Sequence, residues 1–321
     1  MGLVPGSTFP YTADSFAGPM MAALVNEFSW SRSRDGTFQE CRRRYWFQYY
    51  GAWGGWEADA DPEARTIYLL KQLKSRQMWA GEVVHACIQR SLENLQAGIE
   101  PMALDDILSL ALDQMRIEWK QSRDHVYRSR PKTLALFEHD YDVPIDAAEW
   151  RANAGHVTSC LRTFYGSDTY RWIRDQPRDR WLEIEDFSSF QLDGVKVHVK
   201  LDFACREGDR VHIFDWKTGR RDEADNSIQL ACYALYASEK WGPAPGRVRT
   251  VEFNVALDQL REYTVTPADI DRIRNYIRGS IRDMKALLRD PEGNDVARDD
   301  CPLTTEEWRC RLCNFKRLCG R

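Results

Sequence analysis

The sequence predicts a mixed α+β fold in which a helical first half precedes a compact group of strands. From the Gly- and Trp-rich turn at 51–56 to about Asp175, apolar side chains recur at three- and four-residue steps, the spacing of one helix face. Near Trp181 the period drops to two, and Asp-Gly and Glu-Gly-Asp turns punctuate the second half. Strands that cluster after helices, rather than alternating with them, favour α+β over a regular βαβ series.

Residues 1–27 are Gly-, Pro- and Ser-rich with weak patterning and are expected to form a mobile arm. A short aromatic, Arg-rich helix is expected from Thr37 to Tyr50, stopped by Gly51. The segments opening at Pro62, Gly81, Leu104 and Ala154 read as amphipathic helices and fill out a helical lobe over 28–176. Three strands are expected over 181–194, 195–208 and 209–219, then a helix over 226–242 and two further strands near 247–257 and 260–266. These make a core domain at 177–265. Thr266 caps a long helix with Pro267 at its first position and an apolar stripe of Ile270, Ile273, Ile277, Ile281 and Met284. That helix and a cysteine-rich tail complete 266–321.

Composition narrows the function. Net charge is −4, with 43% hydrophobic and 29% charged residues, ordinary for a soluble globular chain. Basic residues nevertheless concentrate locally. Residues 31–44 hold five Arg against one Asp and one Glu, and residues 309–321 hold four Arg and one Lys with no acid. Such patches suit phosphate contacts, or plain solvated surface. No apolar run approaches the roughly 18 to 20 residues of a membrane span, and no signal-peptide pattern opens the chain. A cytoplasmic location is expected, with the nine cysteines reduced, metal-bound or buried rather than disulfide-paired.

The strand "DRVHIFDWKTGR" poses the chemical question. Alternation puts Val211, Ile213, Asp215 and Lys217 on one face. A carboxylate and an ammonium ending a buried strand cost desolvation unless something uses them. The plain alternative is an edge ion pair before a Thr-Gly turn. In the preceding strand, Val195, Val197, Val199, Leu201 and Phe203 share one face, with Lys196, His198, Lys200 and Asp202 on the other. A hairpin would bring Asp202 near Asp215 and Lys217, a hard-oxygen site suited to Mg²⁺ or Mn²⁺. A Lys there can hold a phosphate or orient a water as its pKa falls. Taken alone, Asp202 reads as a strand-end turn residue.

Together, "LDF…FDWKTG…QLACYALY" resembles the PD-(D/E)XK nuclease superfamily, in particular its RecB-like branch, with an Asp on one strand, Asp-x-Lys on the next and a Gln-x3-Tyr helix after them. The resemblance implies a restriction-endonuclease-like core sheet and a metal-dependent deoxyribonuclease. Asp202 and Asp215 would be ligands, Lys217 the catalytic lysine, and Gln229 and Tyr233 would pack over the site. "GEVVHACI" resembles the branch's Gly-x3-His motif, which implies that His85 is a further ligand beside the Trp216 carbonyl. Without the other motifs His85 is an ordinary helix histidine. Glu183 and Glu185 fall where relatives often carry another acid, and Glu185 is preferred. Relatives usually carry Gly before the strand Asp, and "VKLD" has none.

The tail spacing Cys310-x2-Cys313-x5-Cys319 is a metal signal. Local Cys301 would complete a structural zinc site. The segment "SRSRDGTFQECRRRYWF" resembles the opening of RecB-like nucleases that bind a 4Fe–4S cluster, among them AddB-type recombination and CRISPR-adaptation nucleases. That resemblance implies cluster ligation by Cys41, Cys310, Cys313 and Cys319, stapling both ends. Cysteine ligation suits either metal. Relatives act mainly on single-stranded DNA ends, often as exonucleases, so DNA repair, recombination or CRISPR and phage defence is implied. No Gly-x4-Gly-Lys-[Ser/Thr] P-loop occurs, so unwinding would need a helicase partner; a CRISPR role would bring an integrase. A non-catalytic DNA-binding subunit is the alternative.

Overall fold

The computed structural model describes residues 24–220, 227–243 and 245–321. The arm expected at 1–27 lies outside them as far as residue 23. The mixed α+β architecture is observed. The first half runs β1 (Ser29–Ser31), α1 (Arg32–Glu40), α2 (Arg42–Trp46), α3 (Pro62–Lys71), α4 (Arg76–Gln96), α5 (Leu104–Arg123), α6 (Phe137–Asp140), α7 (Ala147–Gly166) and α8 (Asp168–Asp175). The second half runs β2 (Trp181–Ile184), β3 (Phe187–Leu192), β4 (Val195–Lys200), β5 (Phe203–Glu207), β6 (Arg210–Lys217), α9 (Ser227–Trp241), β7 (Val248–Asn254), β8 (Gln259–Thr264) and α10 (Pro267–Lys285).

Five strands form a mixed sheet in the order β2-β5-β6-β7-β8, and β1-β4-β3 form a smaller one. Central β6 is antiparallel to β5 and parallel to β7, reached through α9. Its two faces serve two cores, as a strand covered on both sides requires. Phe214 and Trp216 pack with Val84, Ile88, Leu161 and Phe164 of the helical lobe. Val211 and Ile213 pack with Leu230, Leu235, Ile273 and Ile277 of α9 and α10. α10 starts where Thr266 and Asp269 make a reciprocal capping box, and all five residues of its expected stripe are buried.

Three expectations need correction. The single strand expected over 181–194 is two strands in different sheets, β2 and β3, separated by Glu185 in the left-handed region at φ 54°. The strand expected over 195–208 likewise divides into β4 and β5. Leu201 still packs in the α9–α10 core, whereas Phe203 packs against the helical lobe, so the common face fails at Asp202. There the Asp202 carbonyl accepts the Glu185 N–H at 3.1 Å, holding the two breaks together. The helix expected over 37–50 begins earlier, at Arg32, where the Ser31 hydroxyl accepts the Arg34 N–H at 3.1 Å. It is interrupted at extended Cys41, and Arg43 then binds the tail through Pro302 O at 3.2 Å and Cys301 O at 2.7 Å.

Candidate active site

β6 and the β4–β5 break deliver the acids. One step beyond the antiparallel pair Phe203–Phe214, Asp202 stands across from Asp215. Asp202 Oδ2 accepts the Trp216 N–H at 2.5 Å, fixing its carboxylate at the mouth of the hairpin. Trp216 supplies that amide while its ring is buried beside Phe214 and Phe164.

Asp215 and Lys217 share a strand face, and α9 lies over them. Lys217 Nζ is 2.8 Å from Asp215 Oδ2 and donates to Gln229 Oε1 at 3.0 Å. Gln229 Nε2 donates to Asp215 Oδ1 at 3.1 Å, and the Tyr233 hydroxyl reaches the same oxygen at 3.3 Å. Gln229 and Tyr233 also bond each other at 2.5 Å, as an i, i+4 pair on one helix face can. Lysine, carboxylate, amide and phenol thus form one braced unit.

α4 brings the histidine. His85 Nδ1 lies 2.9 Å from Glu185 Oε1 and 3.4 Å from Asp202 Oδ1. The helix comes this close because Gly81, one turn earlier, has no side chain: a Cβ there would stand 2.8 Å from Thr218 Oγ1. Among the described residues, His85, Glu185 and Asp202 are the group whose ligand atoms all fall within 4.8 Å of one another. Asp215 stands outside that compact trio, braced beside it. Glu183 is elsewhere: its Oε1 accepts from Ser188 at 2.9 Å and meets Tyr236 and Lys240. Strict alternation would have kept Glu183 and Glu185 on one face; the left-handed break separates them.

The electrostatics fit a cation. Burial, then the neighbouring Asp202 charge, push Asp215 up to about 6. Its Oδ2 is buried without a hydrogen bond, facing the Lys217 ammonium as an ion pair. Burial opposes charge on His85, but Asp202 and Glu185 outweigh it and hold the imidazole well above its usual range. Lys217 behaves similarly: burial opposes its charge, yet Asp215 keeps it above the ordinary lysine value, so the falling pKa expected from the sequence is not what this environment produces. One imidazole and three carboxylates are a donor set for Mg²⁺ or Mn²⁺.

Sequence reasoning missed Lys200, which pairs with Glu185 Oε2 at 2.6 Å, and His156, whose Nε2 meets Thr218 O at 2.8 Å. Only tertiary structure joins these pairs. All of these groups line an open cleft of about 1900 Å³ that also exposes Met78, Arg76, Phe187 and Arg220.

Away from the cleft, Cys41 sits between α1 and α2, and Cys310, Cys313 and Cys319 lie in the tail. Burial, then the nearby thiols of Cys313 and Cys41, push Cys319 up to about 11, with Cys310 adding to it. The segment that follows Cys41 meets the tail through other side chains as well: Phe47 stacks on Phe315 at 5.1 Å, and Trp46 Nε1 donates to Val296 O at 2.7 Å. Cys301 is fully buried, whereas the other four are half-exposed.

A family model described as the PD-(D/E)XK nuclease superfamily matches residues 29–320. No curated protein matches the sequence. A solved structure titled "Crystal structure of SSO0001" aligns with 75% of this chain and 97% of its own at 15% identity; its TM-score of 0.28 is too low to bear on the fold. No helix among the described residues is long and apolar enough to cross a membrane.

Proposed function

The chain belongs to the PD-(D/E)XK nuclease superfamily, and from that membership we propose that it is a Mg²⁺- or Mn²⁺-dependent deoxyribonuclease acting on single-stranded ends. The observation that carries this reading is the convergence of His85, Glu185 and Asp202 beside the braced Asp215–Lys217–Gln229–Tyr233 unit, at the wall of an open cleft. His85, Asp202, Asp215 and Glu185, with the Trp216 carbonyl, would hold the divalent ion. When bound, that ion supplies Lewis-acid charge stabilisation and a more acidic water.

The chain's own groups do the rest. Lys217, kept cationic by Asp215, presents a fixed positive charge to a non-bridging phosphate oxygen as charge builds there. Gln229 and Tyr233 hold Asp215 in one rotamer, so the carboxylate needs no reorganisation during the reaction. Lys200 neutralises Glu185 from the cleft side. Phe187 is 73% exposed and stacked on His198 at 4.7 Å, which supports a single-stranded substrate whose bases are free to stack.

Cys41, Cys310, Cys313 and Cys319 are proposed to hold a 4Fe–4S cluster that staples the Cys41 segment to the tail it already touches. Unwinding of duplex substrates would need a helicase partner, because the sequence carries no P-loop, and a CRISPR role would separately bring an integrase. End-labelled linear and circular single strands, offered with Mg²⁺, Mn²⁺ or EDTA, test the reading. Metal-dependent loss of the linear strand alone is expected. Equal cutting of circles would replace the exonuclease reading with an endonuclease, and no cutting would favour a DNA-binding subunit.

A further inference from the structure

The mechanism leaves two cations unexplained. Arg34 is 4% exposed, and among the described residues no carboxylate lies within ion-pair distance of it. It is enclosed by the rings of Phe28, Tyr45, Tyr49 and Tyr50, with its Cζ 4.5 Å from the Tyr49 centroid. Its donors go to the neutral oxygens of Tyr45, Tyr50 and Ser29. Lys71, at the end of α3, approaches the same Tyr49 ring at 5.8 Å, and its ammonium has neither a carboxylate nor a hydrogen-bond partner among the described residues. Burial, then the charge of Arg34, lower its pKa. Two neighbouring cations withdrawn from water cost free energy unless an anion joins them. Arg34, Lys71, Tyr49 and Ser29 all line the cleft that contains His85, Asp202 and Lys217.

We propose that Arg34 and Lys71 form a phosphate subsite that grips the substrate backbone at a nucleotide other than the one being cut. The proposal rests on the nuclease reading of the cleft, and it extends that reading to a second point of contact. The Arg34 guanidinium, fixed by its aromatic cage, sets the positive potential; the Lys71 ammonium, less buried and without a carboxylate partner among the described residues, makes the direct contact. The subsite binds and positions substrate and takes no part in bond cleavage.

The test is the salt dependence of single-stranded DNA binding in EDTA for wild type, Lys71→Met and Lys71→Arg, with thermal unfolding to verify that each is folded. Losing one phosphate contact should lower the slope of log K against log salt by about 0.7. The Met variant should therefore bind more weakly at low salt and converge with wild type at high salt, and Arg should restore the slope. In Mg²⁺, Lys71→Met should raise KM more than it lowers kcat. An unchanged slope in a folded Met variant, or wild type that binds no DNA, overturns the subsite. If wild type cuts DNA while the slope is unchanged, the subsite alone fails. If wild type binds with the Lys71-dependent slope yet never cuts, the nuclease reading fails and the subsite stands.

Discussion

Gly81→Ala tests how α4 places His85. The new Cβ would lie 2.8 Å from Thr218 Oγ1, so helix or threonine must yield about 0.6 Å to reach the 3.4 Å at which ordinary contact begins. Overpacking of this kind costs about 1–3 kcal/mol, and the higher helix propensity of Ala returns about 1 kcal/mol, so net destabilisation should be about 0–2 kcal/mol. Geometry should suffer more than stability. His85 lies one turn along the same helix, 2.9 Å from Glu185, and a 0.6 Å retreat takes that contact to the limit of a hydrogen bond. Misplacement of this size should cost on the order of 10-fold in cleavage rate. Thr218→Ala removes the clashing oxygen and leaves the Thr218 Cβ position at 3.9 Å, so the double variant should recover the rate of Thr218→Ala alone. The assay is a double-mutant cycle in Mg²⁺-dependent cleavage and in chemical denaturation. A Gly81→Ala protein with wild-type rate, or a double variant no better than Gly81→Ala, would refute the close-approach account.

The other predictions concern the staple and the lobe. Cys41→Ser should lose iron and lower the melting temperature, while Cys301→Ser, a buried cysteine outside the proposed ligand set, should keep its iron; iron quantification decides, and an iron-loaded Cys41 variant would contradict the assignment. In the lobe, burial and then the charges of His125 and Arg123 push His139 down to about 4. Its Nδ1 shares a hydrogen bond with Ser122 Oγ at 2.9 Å, and the same Oγ accepts the Leu136 N–H at 2.8 Å. The unfolded chain binds a proton near the ordinary value of about 6.5 that the folded chain refuses, so this group leaves stability intact above that pH and erodes it as pH falls toward 4. His139→Asn should flatten that loss in melting temperature between pH 7 and 4.5, and an unchanged pH profile would contradict it.

Much of the site was legible because its signals are local. Asp215 and Lys217 break an apolar alternation, and Gln229 and Tyr233 announce a shared helix face by their spacing. His85 gave no such signal by itself and stood out only through its motif. The features that stayed hidden depend on where the backbone stops being regular. Period-two patterning continues unbroken through Leu201, Asp202 and Phe203, yet the chain leaves one sheet for the other there. The same blindness hid the divergence of Glu183 from Glu185, because a single left-handed residue leaves no trace in hydrophobic order. β1 is three residues long, too short to show a period, although its Trp30 is fully buried and donates to Ser280 at 3.0 Å. The pairings of Arg43 with the tail and of Lys200 with Glu185 join segments that no spacing rule connects.

The most direct test of the central claim is cleavage of end-labelled single-stranded DNA by anaerobically purified wild type and Lys217→Ala, each with Mg²⁺, Mn²⁺ or EDTA. The account predicts metal-dependent cutting by wild type and a loss of at least about 100-fold in the folded variant, since Lys217 supplies charge where it develops during the reaction. Equal rates for the two proteins would mean that Asp215 and Lys217 end their strand as a structural ion pair, and that the chemistry lies elsewhere.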